Sequence, residues 1–207
     1  TMTDGFLLAW EYFERMAEAE PDLRFASLNW NYMPPAGGGL VHPHLQTILG
    51  GNPTRFPARL LRGATDYRVK HGRSLWADFL KREQDLGERY CATTGSVAWL
   101  ASFAPKGMGG EVSFFFPETT ALRQVRAALK GFLDGLTCVF AYLHANNFIS
   151  FNLALYGALH EDVDFPVQGR ITPRFSIPPL GTSDINYIEK YHDEVICPVV
   201  PEDFCRD

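Results

Sequence analysis

The alternation of apolar and polar positions opens with a helix. Thr3 or Asp4 is placed to cap it, and Phe6, Trp10, Phe13 and Ala17 recur at helical spacing before Pro21 stops the pattern. Residues 25–32 read as a strand, the loop Pro34-Pro35-Ala36-Gly37-Gly38-Gly39 follows, and residues 40–49 read as a second strand closed by Gly50-Gly51-Asn52-Pro53. Residues 54–73, rich in basic side chains (Arg55, Arg59, Arg62, Arg68, Lys70), read as irregular. A short helix is expected over 74–87, with Trp76, Phe79 and Leu80 on one side. Three extended segments at 90–94, 97–103 and 112–116 come next. The stripe Leu122, Val125, Leu129, Phe132, Leu136, Val139, Leu143 predicts a long helix starting near Thr119 or Thr120 and ending at Asn146-Asn147. Strands at 148–156 and 170–177, a last helix over 183–195 and a proline-containing tail complete the reading.

The order helix, strand, loop, strand over 3–49 recurs over 119–177, and repeated order is the signature of related halves. The expected fold is therefore α+β: an antiparallel sheet with helices, in two pseudo-repeated halves. The division falls at 1–73 and 74–207. Three strands precede the long helix of the second half and none precedes the helix of the first, so the first half reads as incomplete. The expectation is that these residues form the later part of a longer polypeptide, because a bare sheet edge is otherwise exposed.

Composition narrows the class. Hydrophobic residues make up 46% of the 207, enough for one sizeable core, and charged residues at 21% exclude a disordered chain. A net charge of −5 argues against a general nucleic-acid or membrane-surface binder. The longest apolar stretch is broken by Arg126, Lys130 and Asp134, and Thr1-Met2-Thr3-Asp4 lacks the basic region of a secretory leader. Cys91, Cys138, Cys197 and Cys205 form no C-x-x-C pair, which reads as reduced thiols in a cytoplasmic protein, with Cys138 in the core.

The candidate chemistry lies in His42-Pro43-His44-Leu45-Gln46. On a strand, alternate residues share a face, so His42, His44 and Gln46 are expected on one side. Upstream, Gly37, Gly38 and Gly39 leave room for backbone N–H groups to approach an anion. An imidazole beside a phosphate with donors around it suits nucleophilic phosphoryl chemistry. A His-x-His pair also binds metals, but no carboxylate or cysteine stands close by to complete a set.

The segment His42-Pro43-His44-Leu45-Gln46-Thr47-Ile48 resembles the histidine-triad (HIT) signature, and its H-P-H-x-Q form resembles the galactose-1-phosphate uridylyltransferase branch of that superfamily. Asn31, eleven residues before His42, matches the spacing of a substrate-contacting asparagine there. Trp76-Ala77-Asp78-Phe79, Phe115-Phe116-Pro117 and the long helix are similar to the second half of such proteins. The tail Pro198-Val199-Val200-Pro201-Glu202-Asp203 resembles their phosphorylase-like relatives. The resemblance implies a nucleotidyltransferase or phosphorylase acting on nucleoside diphosphate sugars. His44 would attack the α-phosphorus and carry the nucleotide covalently, and a backbone carbonyl near His42 would fix its tautomer. Gln46 would donate to a phosphoryl oxygen. Asn31 and the Gly37–Gly39 backbone would hold the nucleotide. Sugar phosphate or phosphate is the implied second substrate, and a homodimer the implied assembly, with Lys190, Tyr191 and Glu194 where the last helix contacts sugar across it.

The sequence departs from that pattern in three places. Gly39, Leu40 and Val41 replace small polar residues before the motif, removing a hydroxyl. The upstream partners of a zinc-binding His42 are absent, which leaves a structural zinc to a fuller chain and assigns no metal ligand or other cofactor here. Tyr156 and Arg174 stand where a second metal site's histidines would be. A non-catalytic nucleotide-binding protein and a structural metal-binding module are the rival readings.

Overall fold

The structure, a computed structural model, describes residues 1–38, 42–162, 164–177, 182–183, 197 and 199–206. The expected helix over 183–195 lies, but for its first residue, outside them. Helix α1 (Met2–Ala19) starts two or three residues earlier than expected. Thr1, not Thr3 or Asp4, is its cap: the Thr1 hydroxyl accepts the Asp4 backbone N–H at 3.4 Å while the Asp4 carboxylate accepts from the Thr1 backbone nitrogen at 2.6 Å. Strands β1 (Phe25–Tyr32) and β2 (Gln46–Gly50) form an antiparallel hairpin running from Phe25↔Gly50 to Asn29↔Gln46.

The second strand is thus shorter than its pattern suggested. Residues 42–45 approach β2 without joining it, because Pro43 has no N–H to give to a ladder. His42 and His44, expected on one strand face with Gln46, therefore do not lie on a strand. The stretch read as irregular is helix α2 (Arg55–His71), closed by Gly72 in the left-handed conformation. Its buried side is narrow, Pro57 and Ala64, and Arg55, Arg59, Arg62 and Lys70 face outward, which is why its periodicity is faint. Helix α3 (Leu75–Leu86) follows, with the Ser74 hydroxyl accepting the Ala77 N–H.

Strands β3 (Tyr90–Thr94), β4 (Val97–Ala101) and β5 (Val112–Phe115) form a meander. A 3-10 stretch, Leu122–Ala128, leads into α4 (Leu129–Ala145), and all seven residues of the expected stripe are buried. Cys138, expected in the core, is exposed: it lies on the side of α4 away from Leu136, Val139 and Leu143. Strands β6 (Phe151–Ala158) and β7 (Gln168–Pro173) make a second hairpin. A small pair, β8 (Ser176–Ile177) and β9 (Thr182–Ser183), and helix α5 (Pro201–Arg206), in what was read as tail, complete the described elements.

Seven strands form one antiparallel sheet in the order β2-β1-β6-β7-β5-β4-β3. β1 pairs with β6 over its whole length, from Phe25↔Ala158 to Tyr32↔Phe151, so the two hairpins meet back to back. Each is preceded by a helix, α1 or α4. Past β7 the sheet continues through β5, β4 and β3; at the other end β2 is the edge. The fold is the α+β antiparallel arrangement read from the sequence, with its repeated halves unequal in the same sense.

Helices α1 and α4 cover one face. Phe6, Trp10 and Phe13 of α1 are fully buried with Leu28, Phe114, Phe132 and Leu155 in the main core. Each such phenylalanine contributes about 1.5–3 kcal/mol by leaving water. On the opposite face a smaller cluster joins Leu80 of α3 to Ala98, Leu100 and Phe115, with Trp76 and Phe79 against it.

Helix α4 rides close to the sheet because Gly135 has no side chain: a Cβ there would fall 2.2 Å from the Trp99 ring. Trp99 cannot give way. It is buried, stacks on Phe132 at 5.9 Å, and donates from its indole N–H to the Thr94 hydroxyl at 2.7 Å. Gly135→Ala is therefore expected to lower stability by about 1–3 kcal/mol, overpacking outweighing the roughly 1 kcal/mol helix preference for alanine. Gly63→Ala in α2, where nothing stands within 4 Å of the added methyl, is expected to raise stability by about 0.5–1 kcal/mol. Urea unfolding of the two variants checks both signs.

Candidate functional site

The site grows from the end of β1. Leu28 and Trp30 point into the core under α1, so alternation sends Ser27, Asn29 and Asn31 to the other face. Asn29 donates to the Ser27 hydroxyl at 3.0 Å and to the Gln46 carbonyl at 3.4 Å, tying β1 to the first residue of β2. Asn31 lies opposite Asn152 of β6. The Asn152 amide donates to Asn31 Oδ1 and to the Ala36 carbonyl, both at 2.8 Å. With its oxygen held in this way, Asn31 presents its own amide N–H groups away from Asn152.

Beyond β1 the chain turns tightly. Met33 takes a positive φ of 71°, sparsely populated by residues with a side chain, and Pro34–Ala36 form one 3-10 turn ending at Gly37, itself left-handed with φ 82°. At Gly38 a Cβ would meet the Asn31 carbonyl at 2.9 Å, so this position needs glycine. The Gly37 N–H donates to Pro34 O at 2.9 Å and the Gly38 N–H to Met33 O at 3.1 Å. Of the expected anion cradle, these two donors close the turn in this structure. Gly39 lies outside the described residues, as do Leu40 and Val41.

On the return arm, His44 Nδ1 lies 3.0 Å from the His42 backbone carbonyl. A carbonyl only accepts, so Nδ1 carries the proton and the lone pair of the neutral ring sits on Nε2. The two imidazole rings are 5.5 Å apart. His42 and Gln46 are exposed; His44 is half-buried. His44 lines a cleft of about 800 Å³ with Pro43, Leu45, Thr47 and Trp30 on one wall and Leu8, Ala9 and Tyr12 of α1 on the other. Pro43 also borders a second hollow of about 540 Å³ that contains His144, Tyr32 and Met33.

Helix α2 projects Arg55, Arg59 and Arg62 outward, and none of them lines the cleft beside His44 among the described residues. His71 packs on Tyr67 at 4.3 Å. Lys190, Tyr191 and Glu194 lie outside the described residues. At the two positions where the resemblance would set a second metal site, Tyr156 is buried, which pushes its phenol up to about 12, and Arg174 is buried with its backbone N–H on the Ser150 carbonyl at 2.9 Å. Next to Tyr156, Arg170 pairs with the buried Glu111, which also accepts from Thr172 at 2.9 Å. Among the described residues no three of His, Cys, Asp or Glu converge on a point that could hold a metal ion. No described helix is long and apolar enough to cross a membrane.

Sequence reasoning missed Asn152 and the α1 wall of the cleft. Both had a signal. Asn152 is an amide inside the apolar run Phe151-Asn152-Leu153, on the strand that echoes β1, and Leu8 and Tyr12 form a second apolar row on α1.

The same architecture is found in proteins of known structure. A uridylyltransferase of known structure superposes with a TM-score of 0.82 at 18% identity, covering 99% of this chain and 65% of that one. An ADP-glucose phosphorylase from Arabidopsis thaliana, solved with ADP-glucose bound, superposes at 0.70 with 15% identity, covering 99% and 65%. An uncharacterized protein of Archaeoglobus fulgidus is 28% identical over 208 residues, 99% of this chain and 60% of its own length. The chain thus spans about three fifths of that relative. No family model matches the sequence. At these identities the likeness establishes the fold that this chain shares with those structures.

Asn152 offers a test of how the turn is held. Asn152→Asp keeps the shape but replaces the donating amide with an oxygen, facing two acceptors with a third. We expect a loss of about 1–3 kcal/mol at pH 7 in urea unfolding. The introduced carboxyl prefers its neutral form in the fold, so its folded pKa lies above the unfolded value of about 3.9. The deficit is then smallest below that value and grows as pH rises through the folded pKa. An unchanged stability at pH 7 would show that these bonds do not hold the turn.

Proposed function

We propose that this chain carries a nucleotidyl-transfer site in which Nε2 of His44 is the nucleophile, acting on a nucleoside diphosphate sugar, with a sugar phosphate or phosphate as acceptor. The observation that carries the reading is the 3.0 Å contact of His44 Nδ1 with the His42 carbonyl, which commits the lone pair to Nε2. The shared fold with a uridylyltransferase and an ADP-glucose phosphorylase supports it.

In the proposed first step Nε2 attacks the α-phosphorus. An N–P bond forms, the bond from the α-phosphorus to the bridging oxygen breaks, and sugar 1-phosphate leaves with that oxygen. The ring gains positive charge as it bonds to phosphorus, and the Nδ1–H···O=C contact strengthens to spread it. In the second step an acceptor phosphate oxygen attacks the same phosphorus and Nε2 leaves with its electron pair. Such two-step transfer is ping-pong chemistry. With the Gly37 and Gly38 N–H groups engaged in their turn, donation to the phosphoryl oxygens falls to the amides of Gln46 and Asn31.

The alternative is a site that binds nucleotide sugars without turning them over. It is favoured by one feature, the absence of a hydroxyl at Gly39, Leu40 or Val41 just before the motif. One experiment separates the two. The protein is mixed with UDP-, ADP- or GDP-sugars, binding is read from the rise in melting temperature, and the mixture is quenched at alkaline pH for peptide mass mapping. The proposal expects a nucleotide adduct on His44, none with His44→Ala, and a rate of adduct formation about 10²–10³ lower with Gln46→Ala. Binding without an adduct would favour the alternative, and an adduct on His42 would overturn the role assignment.

A further inference from the structure

Away from His44, two cysteines 114 residues apart in sequence bring their sulfurs to 3.2 Å. Cys91 is on β3, and it is the residue that breaks the regular pairing there: Tyr90 lies opposite Leu100 and Ala92 opposite Trp99, with no residue left for Cys91. A bulge of this kind re-aims its extra side chain, and here the sulfur is turned to Cys205 of α5.

The meeting is held by two anchors in the stretch just before Cys205. Phe204 is buried, edge-on to Tyr142 at 5.2 Å, and over Gly110, where a Cβ would lie 2.7 Å from its ring. Glu202 pairs with Arg89, which also bonds Glu83 at 2.9 Å. Arg89 is two residues from Cys91, so the ion pairs fix the same stretch of chain that carries the first sulfur. Both thiols are free in the structure, and Cys91 is exposed, within reach of a small oxidant.

We propose that Cys91 and Cys205 form a reversible disulfide that clasps α5 to the β3 edge of the sheet, with a low-molecular-weight disulfide such as oxidised glutathione as oxidant. One thiol loses its proton and its thiolate attacks a glutathione sulfur, breaking the glutathione S–S bond and releasing one glutathione thiolate. The second cysteine, deprotonated in turn, attacks the protein sulfur of the mixed disulfide and releases the second glutathione. Two thiols are oxidised and one disulfide is reduced to two glutathiones. The sulfurs close to an S–S bond of about 2.05 Å. Whichever thiolate attacks first, the other sulfur stands 3.2 Å away and resolves the mixed disulfide.

The test uses the whole chain. It is incubated with oxidised glutathione or with a dithiol reductant, alkylated, and mapped without reduction. The expected result is a Cys91–Cys205 cross-linked peptide lighter by two hydrogens than its parts, with Cys138 and Cys197 still alkylated. The oxidised protein should melt at a higher temperature than the reduced one, because the cross-link restricts the unfolded chain. Cys205→Ser and Cys91→Ala should each abolish the cross-link and the difference in melting temperature. Cys91→Ala leaves α5 untouched, so a Cys205→Ser variant that folds poorly does not spoil the reading. Persistent glutathione adducts on either cysteine, or a cross-link through Cys197 or Cys138, would overturn the proposal.

Discussion

The pairing of β1 with β6 is the interaction on which the rest of this structure depends. Eight residues of each strand join two hairpins that are far apart in sequence, and the sheet, both helical covers and the site follow from that seam. It brings α1 and the α4 region over one face, where Phe6 packs edge-on to Phe132 at 5.3 Å. It also fixes the register that sets Asn31 against Asn152, so the same seam reaches from core packing to the amides beside the motif.

Polar side chains of the motif and of the β1–β6 seam are positioned mostly by backbone. The His42 carbonyl orients the imidazole, the Gln46 carbonyl takes the Asn29 amide, and the Ala36 carbonyl takes one hydrogen of Asn152. Backbone acceptors on a sheet edge and a tight turn move little, which gives the site its pre-organisation. The cost is local: Met33 at positive φ and a Gly38 whose missing side chain lets the turn close over Asn31.

Much of the fold was legible because its helices and strands carry strong periods. The Leu122-to-Leu143 stripe is buried throughout, and the echo of helix, strand, loop, strand became the two hairpins. Pattern failed where backbone chemistry overrode it. Pro43 keeps residues 42–45 out of the ladder despite their alternation, while α2 hides a helix behind outward-facing arginines. Cys138 sits between stripe positions, and a helical turn carries it to the surface. At the site, the glycine run suggested free donors, but the hydrogen bonds of a tight turn engage Gly37 and Gly38 first. The Cys91–Cys205 meeting was beyond sequence reading, since neither spacing nor composition encodes a contact made through a bulge and a docked terminal helix.

Everything chemical in this account turns on Nε2 of His44 forming a bond to phosphorus before any acceptor arrives. The most direct measurement is a rapid-quench assay with a nucleoside diphosphate sugar that binds, in the absence of acceptor, counting the sugar phosphate released. The account predicts a burst approaching one sugar phosphate per chain, abolished in His44→Ala, followed by turnover when phosphate or sugar phosphate is added. Release that waits for the acceptor, with no burst, would contradict it.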